Sequence, residues 1–139
     1  MDAEVKREII MEHYQNPLNK DKIIGEGYEK VNSANSSCID NIDIYILIKD
    51  NIIKDICFTG EACAISISST SIMIKNLIGK TVDEAKNYIN NFMNMVNEKK
   101  YDKTLLNEGL VYEDIYKQSS RKTCALLPYS GILKVLEKY

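Results

Sequence analysis

Histidine is nearly missing from this 139-residue chain, with His13 as its only example, and proline occurs twice. A single histidine leaves no histidine-rich metal site. No cysteine has a histidine partner near it in sequence, which argues against a cysteine protease or an acyltransferase. No apolar run approaches the length of a bilayer span. Long basic tracts are also absent. Lys99-Lys100 is too short for a nucleic-acid arm, and the formal net charge of −2 gives no general attraction for polyanions. Repeats, low-complexity segments and long linkers do not occur. The opening Met1-Asp2-Ala3-Glu4 is acidic and polar, unlike a signal peptide, so the expected location is cytoplasmic. The length suits one domain, residues 1–139, with a real hydrophobic core.

Cysteine is present four times, at 38, 57, 63 and 124, without a Cys-x-x-Cys pair. That spacing excludes a compact zinc knuckle or a thioredoxin-type motif. In a reducing compartment such cysteines are thiols, ligands or nucleophiles before they are disulfides.

Periodicity outlines the elements. Asp2 caps a first helix carrying Val5, Ile9 and Ile10 on one stripe, which ends near Asn16-Pro17. Gly25 and Gly27 mark a loop, and a short strand over residues 28–34 follows. Isoleucine at every second position from Ile42 to Ile48 predicts a strand over residues 40–49. Asp50-Asn51 then turns the chain into a strand over residues 52–58. Ile52, Ile56 and Phe58 are expected on its inner face, with Cys57 on the other as a spectator or a packing residue. Residues 64–78 predict a helix closed by Gly79. It carries Ser66, Ser68, Ser69 and Ser71, whose small size suits close packing better than catalysis. Thr81-Val82-Asp83-Glu84 is a capping box that opens a third helix through Val82, Ala85, Ile89, Phe92 and Val96. Residues 101–118 are ambiguous. The segment from Ser119 is helical in pattern, and Pro128 either kinks that helix or starts its main part. The expected fold is α+β: a small three-stranded antiparallel sheet with helices packed on one face.

Three cysteines sit at places of chemical interest. If the extended geometry already holds at Cys38, it and Asp40 lie on the same side of the chain, and a thiolate and a carboxylate so placed can share a cation. Cys63 falls at a strand-to-helix junction and Cys124 near the start of the last helix, where unpaired amides favour a thiolate. Arg121 and Lys122 add charge beside Cys124. Position alone leaves another reading equally open, in which each cysteine is a small buried hydrophobe.

Four ordered blocks carry a family resemblance: Glu12-His13-Tyr14-Gln15-Asn16-Pro17, Asn35-Ser36-Ser37-Cys38-Ile39-Asp40, Phe58-Thr59-Gly60-Glu61-Ala62-Cys63-Ala64-Ile65-Ser66, and Arg121-Lys122-Thr123-Cys124. Over nearly its whole length the chain resembles the IscU/NifU N-terminal iron–sulfur cluster assembly scaffolds, and most closely their SufU branch. Thr123 stands where the IscU branch has a histidine, and the long Cys63–Cys124 spacing is also SufU-like. The resemblance implies that Cys38, Asp40, Cys63 and Cys124 bind a metal, zinc in the SufU branch, or alternatively hold an iron–sulfur cluster through Cys38, Cys63 and Cys124. It implies that Cys38 accepts sulfur from a SufS-like cysteine desulfurase, that Arg121 stabilises the freed thiolate, and that apo iron–sulfur proteins are possible acceptors. A metal-stabilised structural domain without sulfur transfer is the alternative. Ile39 and Ala62 replace family glycines, and Ser36 replaces a proline. Glycine at such places permits positive φ and close backbone approach.

Overall fold

The computed structural model describes residues 1–35 and 39–139. In chain order they form α1 (Ala3–Gln15), β1 (Glu29–Ala34), β2 (Asn41–Lys49), β3 (Ile52–Glu61), α2 (Ala64–Leu77), α3 (Val82–Val96) and α4 (Ser119–Leu136). Three short 3-10 turns, Lys103–Leu105, Asn107–Tyr112 and Ile115–Lys117, fill the stretch that periodicity leaves ambiguous. The sheet is antiparallel throughout, in the order β1-β2-β3. Helices α2 and α4 lie against it, with α1 packed on α2 and α3 on α4. No described helix is long and apolar enough to cross a membrane.

Strand β2 forms as its alternation requires. Ile42, Ile44 and Ile46 are essentially inaccessible, while Asn41 and Lys49 are exposed. Asp50 and Asn51 both have positive φ, at 54° and 62°, which gives the two-residue hairpin the twist of its strands. Asp and Asn tolerate this region because their short polar side chains bond locally.

Strand β3 departs from simple alternation. Leu47 pairs with Asp55 and Ile48 with Ile53, so Lys54 is an extra residue. This bulge shifts the phase. Ile53, Ile56 and Phe58 enter the core, and Ile52, expected there, is only half-buried. The strand also runs three residues further than expected, to Glu61. Cys57, on the opposite face, is buried too and is a packing residue.

The segment after α1 pairs with the outer edge of β3. Phe58 N–H donates to the Asn19 carbonyl (3.2 Å) and Asp21 N–H to the Phe58 carbonyl (2.8 Å), so the segment runs along the free edge of β3. Asp55 anchors it, accepting from Lys22 Nζ (2.8 Å), the Tyr28 hydroxyl (2.5 Å) and Asn19 Nδ2 (3.3 Å). Burial pushes the Asp55 carboxyl up, but the bonds from Lys22 and Tyr28 outweigh it and the net shift is downward. The Tyr28 phenol, bonded to that carboxylate, is pushed up to about 12.

Helix α1 is tied down by a buried polar residue as well as by its apolar stripe. Val5 is exposed and Ile9 and Ile10 are half-buried, whereas His13 is buried. His13 Nδ1 lies 2.7 Å from Ser71 Oγ and Nε2 lies 3.3 Å from Glu108 Oε1. Since Leu18 N–H donates to the same Ser71 oxygen (2.9 Å), one histidine ties α1 to α2 and to the second 3-10 turn.

The serines of α2 bond outward. Ser68 meets the Tyr112 hydroxyl (2.6 Å), Ser69 donates to the Ala125 carbonyl (2.7 Å) and Ser66 lies 3.1 Å from the Cys124 carbonyl. Helix α4 is continuous through Pro128. Proline within a helix costs about 3 kcal/mol or more, partly because the carbonyl four residues earlier loses its partner. Here that carbonyl is Cys124's, and the Ser66 hydroxyl faces it. From the sheet side, Ser33 of β1 donates to the Leu127 carbonyl (2.6 Å). Behind this layer Phe92 stacks on Tyr129, with ring centroids 4.0 Å apart, and meets Tyr112 edge-on.

One glycine is required by geometry. Gly60 has φ +121°, and a Cβ there would lie 2.3 Å from the Asn41 carbonyl oxygen. Gly60→Ala is therefore expected to cost about 1–3 kcal/mol, read as a lower urea midpoint, whereas Gly25→Ala, with open space around it, leaves the midpoint unchanged. Asp55→Asn tests the segment clasp. A lowered carboxyl stabilises the fold above its unfolded pKa and loses that contribution as pH falls through its folded value. The variant should be less stable than the parent at neutral pH, with the gap closing as pH falls below the ordinary aspartate range and through the lowered folded value.

Candidate metal centre

Three elements of different sequence origin converge at the N-terminus of α2. Strand β3 ends at Glu61, and Cys63 is the N-cap of α2, with extended backbone (φ −68°, ψ 167°) and no side-chain cap of its own. Asp40, just before β2 and 1% exposed, bonds to this helix start. Its Oδ1 accepts the Cys63 backbone N–H at 2.7 Å and its Oδ2 accepts the Ser66 hydroxyl at 2.7 Å. A carboxylate at this end of a helix meets unpaired amides and the positive end of the helix dipole, which favour its charged form. From the other side, α4 brings Cys124 in its second turn.

The donor atoms of Asp40, Cys63 and Cys124 all lie within 4.8 Å of one another. Cys63 Sγ is 3.6 Å from Asp40 Oδ2 and 3.6 Å from Ser66 Oγ. Zinc–sulfur bonds of about 2.3 Å in a tetrahedron put sulfur donors roughly 3.8 Å apart. Two thiols and a carboxylate at this separation fit zinc, a borderline-soft ion that accepts both sulfur and oxygen. Cys38, proposed from sequence as the fourth ligand, lies outside the described residues, as do Ser36 and Ser37. The backbone on either side closes through Asn35 N–H to the Asp40 carbonyl (2.9 Å). Asp40 precedes β2 rather than lying in it, so strand alternation is not what orients its carboxylate.

The thiols differ. Cys63 is half-buried, whereas Cys124 is 5% exposed and points back to the Ser120 carbonyl (3.7 Å). Burial, followed by the neighbouring Cys63 and Asp40, pushes the Cys124 thiol up to about 12. The helix-start effect expected to favour a thiolate there is outweighed by desolvation. Arg121 is exposed, one turn earlier on α4, and Thr123 is exposed as well. Cys57, buried in the opposite face of the sheet, is no part of the cluster, and burial raises its thiol too. No described cysteine is in a disulfide.

Sequence reasoning missed Ser66 as a site residue. It was legible only as one small residue among four, although its position three after Cys63 puts it on the same side of the first turn of α2. Ala62 needs no glycine. The described non-glycine residues with positive φ are Asn19, Asp21, Asp50, Asn51, Glu98 and Asn107, and Ala62 is not among them. Ile39, at the other replaced glycine, is 71% exposed.

The NifU-like N-terminal domain matches residues 5–125, which includes Asp40, Cys63, Ser66 and Cys124. The chain belongs to that family. Among its relatives, the zinc-dependent sulfurtransferase SufU of Bacillus subtilis is 31% identical over 137 residues, covering 95% of this chain and 89% of the relative. The iron–sulfur cluster assembly scaffold protein IscU of Thermotoga maritima is 29% identical over 125 residues, covering 90% and 84%. The same NifU-like fold is seen in a crystal structure described as an iron–sulfur cluster assembly scaffold protein for the SUF system of Fervidobacterium islandicum. It superposes with a TM-score of 0.82 at 32% identity, over 94% of this chain and 93% of that one.

In the metal-free protein, Cys57 and Cys124 are buried and their thiols raised, so both should alkylate more slowly than the half-buried Cys63. Timed iodoacetamide labelling with peptide mass spectrometry checks this. Cys124 labelling at the rate of Cys63 would contradict the burial described above.

Proposed function

We propose that this NifU-like protein works in iron–sulfur cluster assembly as a zinc-bound sulfur acceptor for a cysteine desulfurase. The observation that carries the reading is the convergence of Asp40, Cys63 and Cys124 donors within 4.8 Å at one helix start. Cys38, two positions before Asp40 in sequence, completes the ligand set. Bound zinc would hold the thiols deprotonated near neutral pH.

The residues divide the work. Asp40, bonded through both oxygens to α2, fixes one corner of the site. Cys63 and Cys124, on separate helices, hold the others, and Cys124 stays shielded from solvent. Cys38 is the acceptor, and Ile39, next to it in sequence, is open to solvent and to a partner. The Cys38 thiolate attacks the outer sulfur of the desulfurase persulfide. A new sulfur–sulfur bond forms at Cys38, the old one breaks, and its electron pair leaves on the desulfurase cysteine as a thiolate. Arg121 stabilises the free Cys38 thiolate. Apo iron–sulfur proteins are the eventual recipients of the sulfur.

Thr123 favours this reading over a cluster scaffold with a histidine ligand at that place, because a threonine hydroxyl is a poor donor for iron or zinc. The protein is expected to purify with about one zinc per chain, lost in Cys63→Ser and in Cys124→Ser. Cys38→Ala should abolish persulfide transfer from a SufS-like desulfurase, followed by mass spectrometry of the acceptor. Undiminished transfer to Cys38→Ala would assign the acceptor role to another thiol, and zinc retained in both serine variants would dissolve the shared site.

A further inference from the structure

We infer that Ser66 is the positioning residue of the metal centre, aiming the Asp40 carboxylate through a hydroxyl held between Asp40 and the Cys124 carbonyl. The inference rests on the reading of Asp40, Cys63 and Cys124 as metal ligands.

Ser66 is fully buried, and three parts of the site meet at its one oxygen. Asp40 Oδ2 is 2.7 Å away, the Cys124 carbonyl 3.1 Å and Cys63 Sγ 3.6 Å. A hydroxyl has one proton. The shorter contact, to a carboxylate, is the stronger hydrogen bond and takes the larger share of it, the Cys124 carbonyl receiving the weaker arm of a three-centre bond. That bond and the Cys63 backbone N–H each meet one Asp40 oxygen, with the Cys63 thiol a longer contact on Oδ2 at 3.6 Å, and an ionised carboxylate has about four acceptor positions. The Cys63 and Ser66 bonds fix the plane of the carboxylate from a single helix turn.

The second contact explains why the serine stays in place. In an uninterrupted helix, residue 128 would donate to the Cys124 carbonyl. Pro128 has no N–H. The carbonyl therefore has room for an outside partner, and Ser66 stands opposite it. The backbone that carries one metal ligand is thereby bridged to the carboxylate of another through a single side chain. Outer-shell partners of metal ligands typically account for about ten- to hundredfold in metal affinity.

Cobalt(II), titrated into metal-stripped full-length protein and competed with zinc, reads the site by its visible bands and by affinity. Ser66→Ala is expected to bind cobalt about ten- to hundredfold more weakly than the parent, with shifted bands. In an Asp40→Ala background, adding Ser66→Ala should cause no further loss, because the carboxylate it orients is gone. In a Pro128→Ala background, the substituted residue supplies the N–H that the Cys124 carbonyl lacks. Ser66→Ala should then fold as well as its background and still lose affinity. Three results overturn the inference: unchanged cobalt affinity and spectrum in Ser66→Ala, an equal loss in the Asp40→Ala background, or a loss that disappears with Pro128→Ala. A parent protein that binds no cobalt or zinc overturns the metal reading itself, and this inference with it.

Discussion

The fold around the site depends on one carboxylate at one helix start. Asp40 is almost inaccessible, and a buried carboxylate without partners would be costly to ionise. Two donors from the first turn of α2, the Cys63 amide and the Ser66 hydroxyl, meet it at 2.7 Å each. Asp40 in turn caps a helix whose N-cap side chain makes no cap bond. Each partner answers the other's unmet demand. The arrangement sets the end of β3, the entry to α2 and the start of β2 relative to one another, and the thiol of Cys63 follows from it.

Around that point, hydroxyl-to-carbonyl bonds do what apolar contacts do elsewhere in the core. Helix α2 is rich in serine along its buried length, and each of its four serines bonds to another element or to a nearby backbone carbonyl. Small side chains allow α4 to come close, and their hydroxyls satisfy carbonyls on α4. At Gly131 a Cβ would stand 3.0 Å from Ser33 Oγ, so the sheet side of α4 is packed equally tightly. Pro128, which would weaken an isolated helix, is accommodated because its orphaned carbonyl faces a donor.

Much of this was readable from local chemistry. The isoleucine alternation of β2, the capping box at Thr81 and Glu84, and the Asp-Asn turn each follow from a short-range rule, and each stands where expected. What was not readable came from elements distant in sequence. The bulge at Lys54 depends on how β3 must meet β2, so Ile53 replaced Ile52 inside. Cys57 is buried on the side of β3 where Lys22 and Tyr28 gather on Asp55, two positions earlier in the strand. Val5 had the right spacing for the core but is exposed, and the buried residue of α1 is His13, bonded to Ser71 and Glu108. Burial of Cys124 likewise reversed the effect expected from its place near a helix start. Of the site, the donor types and their order were legible in the family blocks. The role of Ser66 was not, since one serine in a run of four looks like filler until Asp40 is placed beside it.

The replaced glycines show how a motif can drift without losing its geometry. The block around Cys63 contains Gly60 and Ala62, and only one of these positions makes a demand that a side chain cannot meet. Gly60 carries positive φ and presses against the Asn41 carbonyl, three residues before the cysteine and next to the strand that follows Asp40. Ala62 lies in ordinary backbone and asks only for a small residue between strand and helix. The close approach that brings the Asp40 and Cys63 segments together is thus made at 60, and position 62 is free to vary in size by a methyl group. Ile39 projects outward, where a β-branched side chain changes the surface beside the site and leaves the described thiols and carboxylate as they are. Substitution at 39 and 62 therefore alters what a partner would touch more than what a metal would bind.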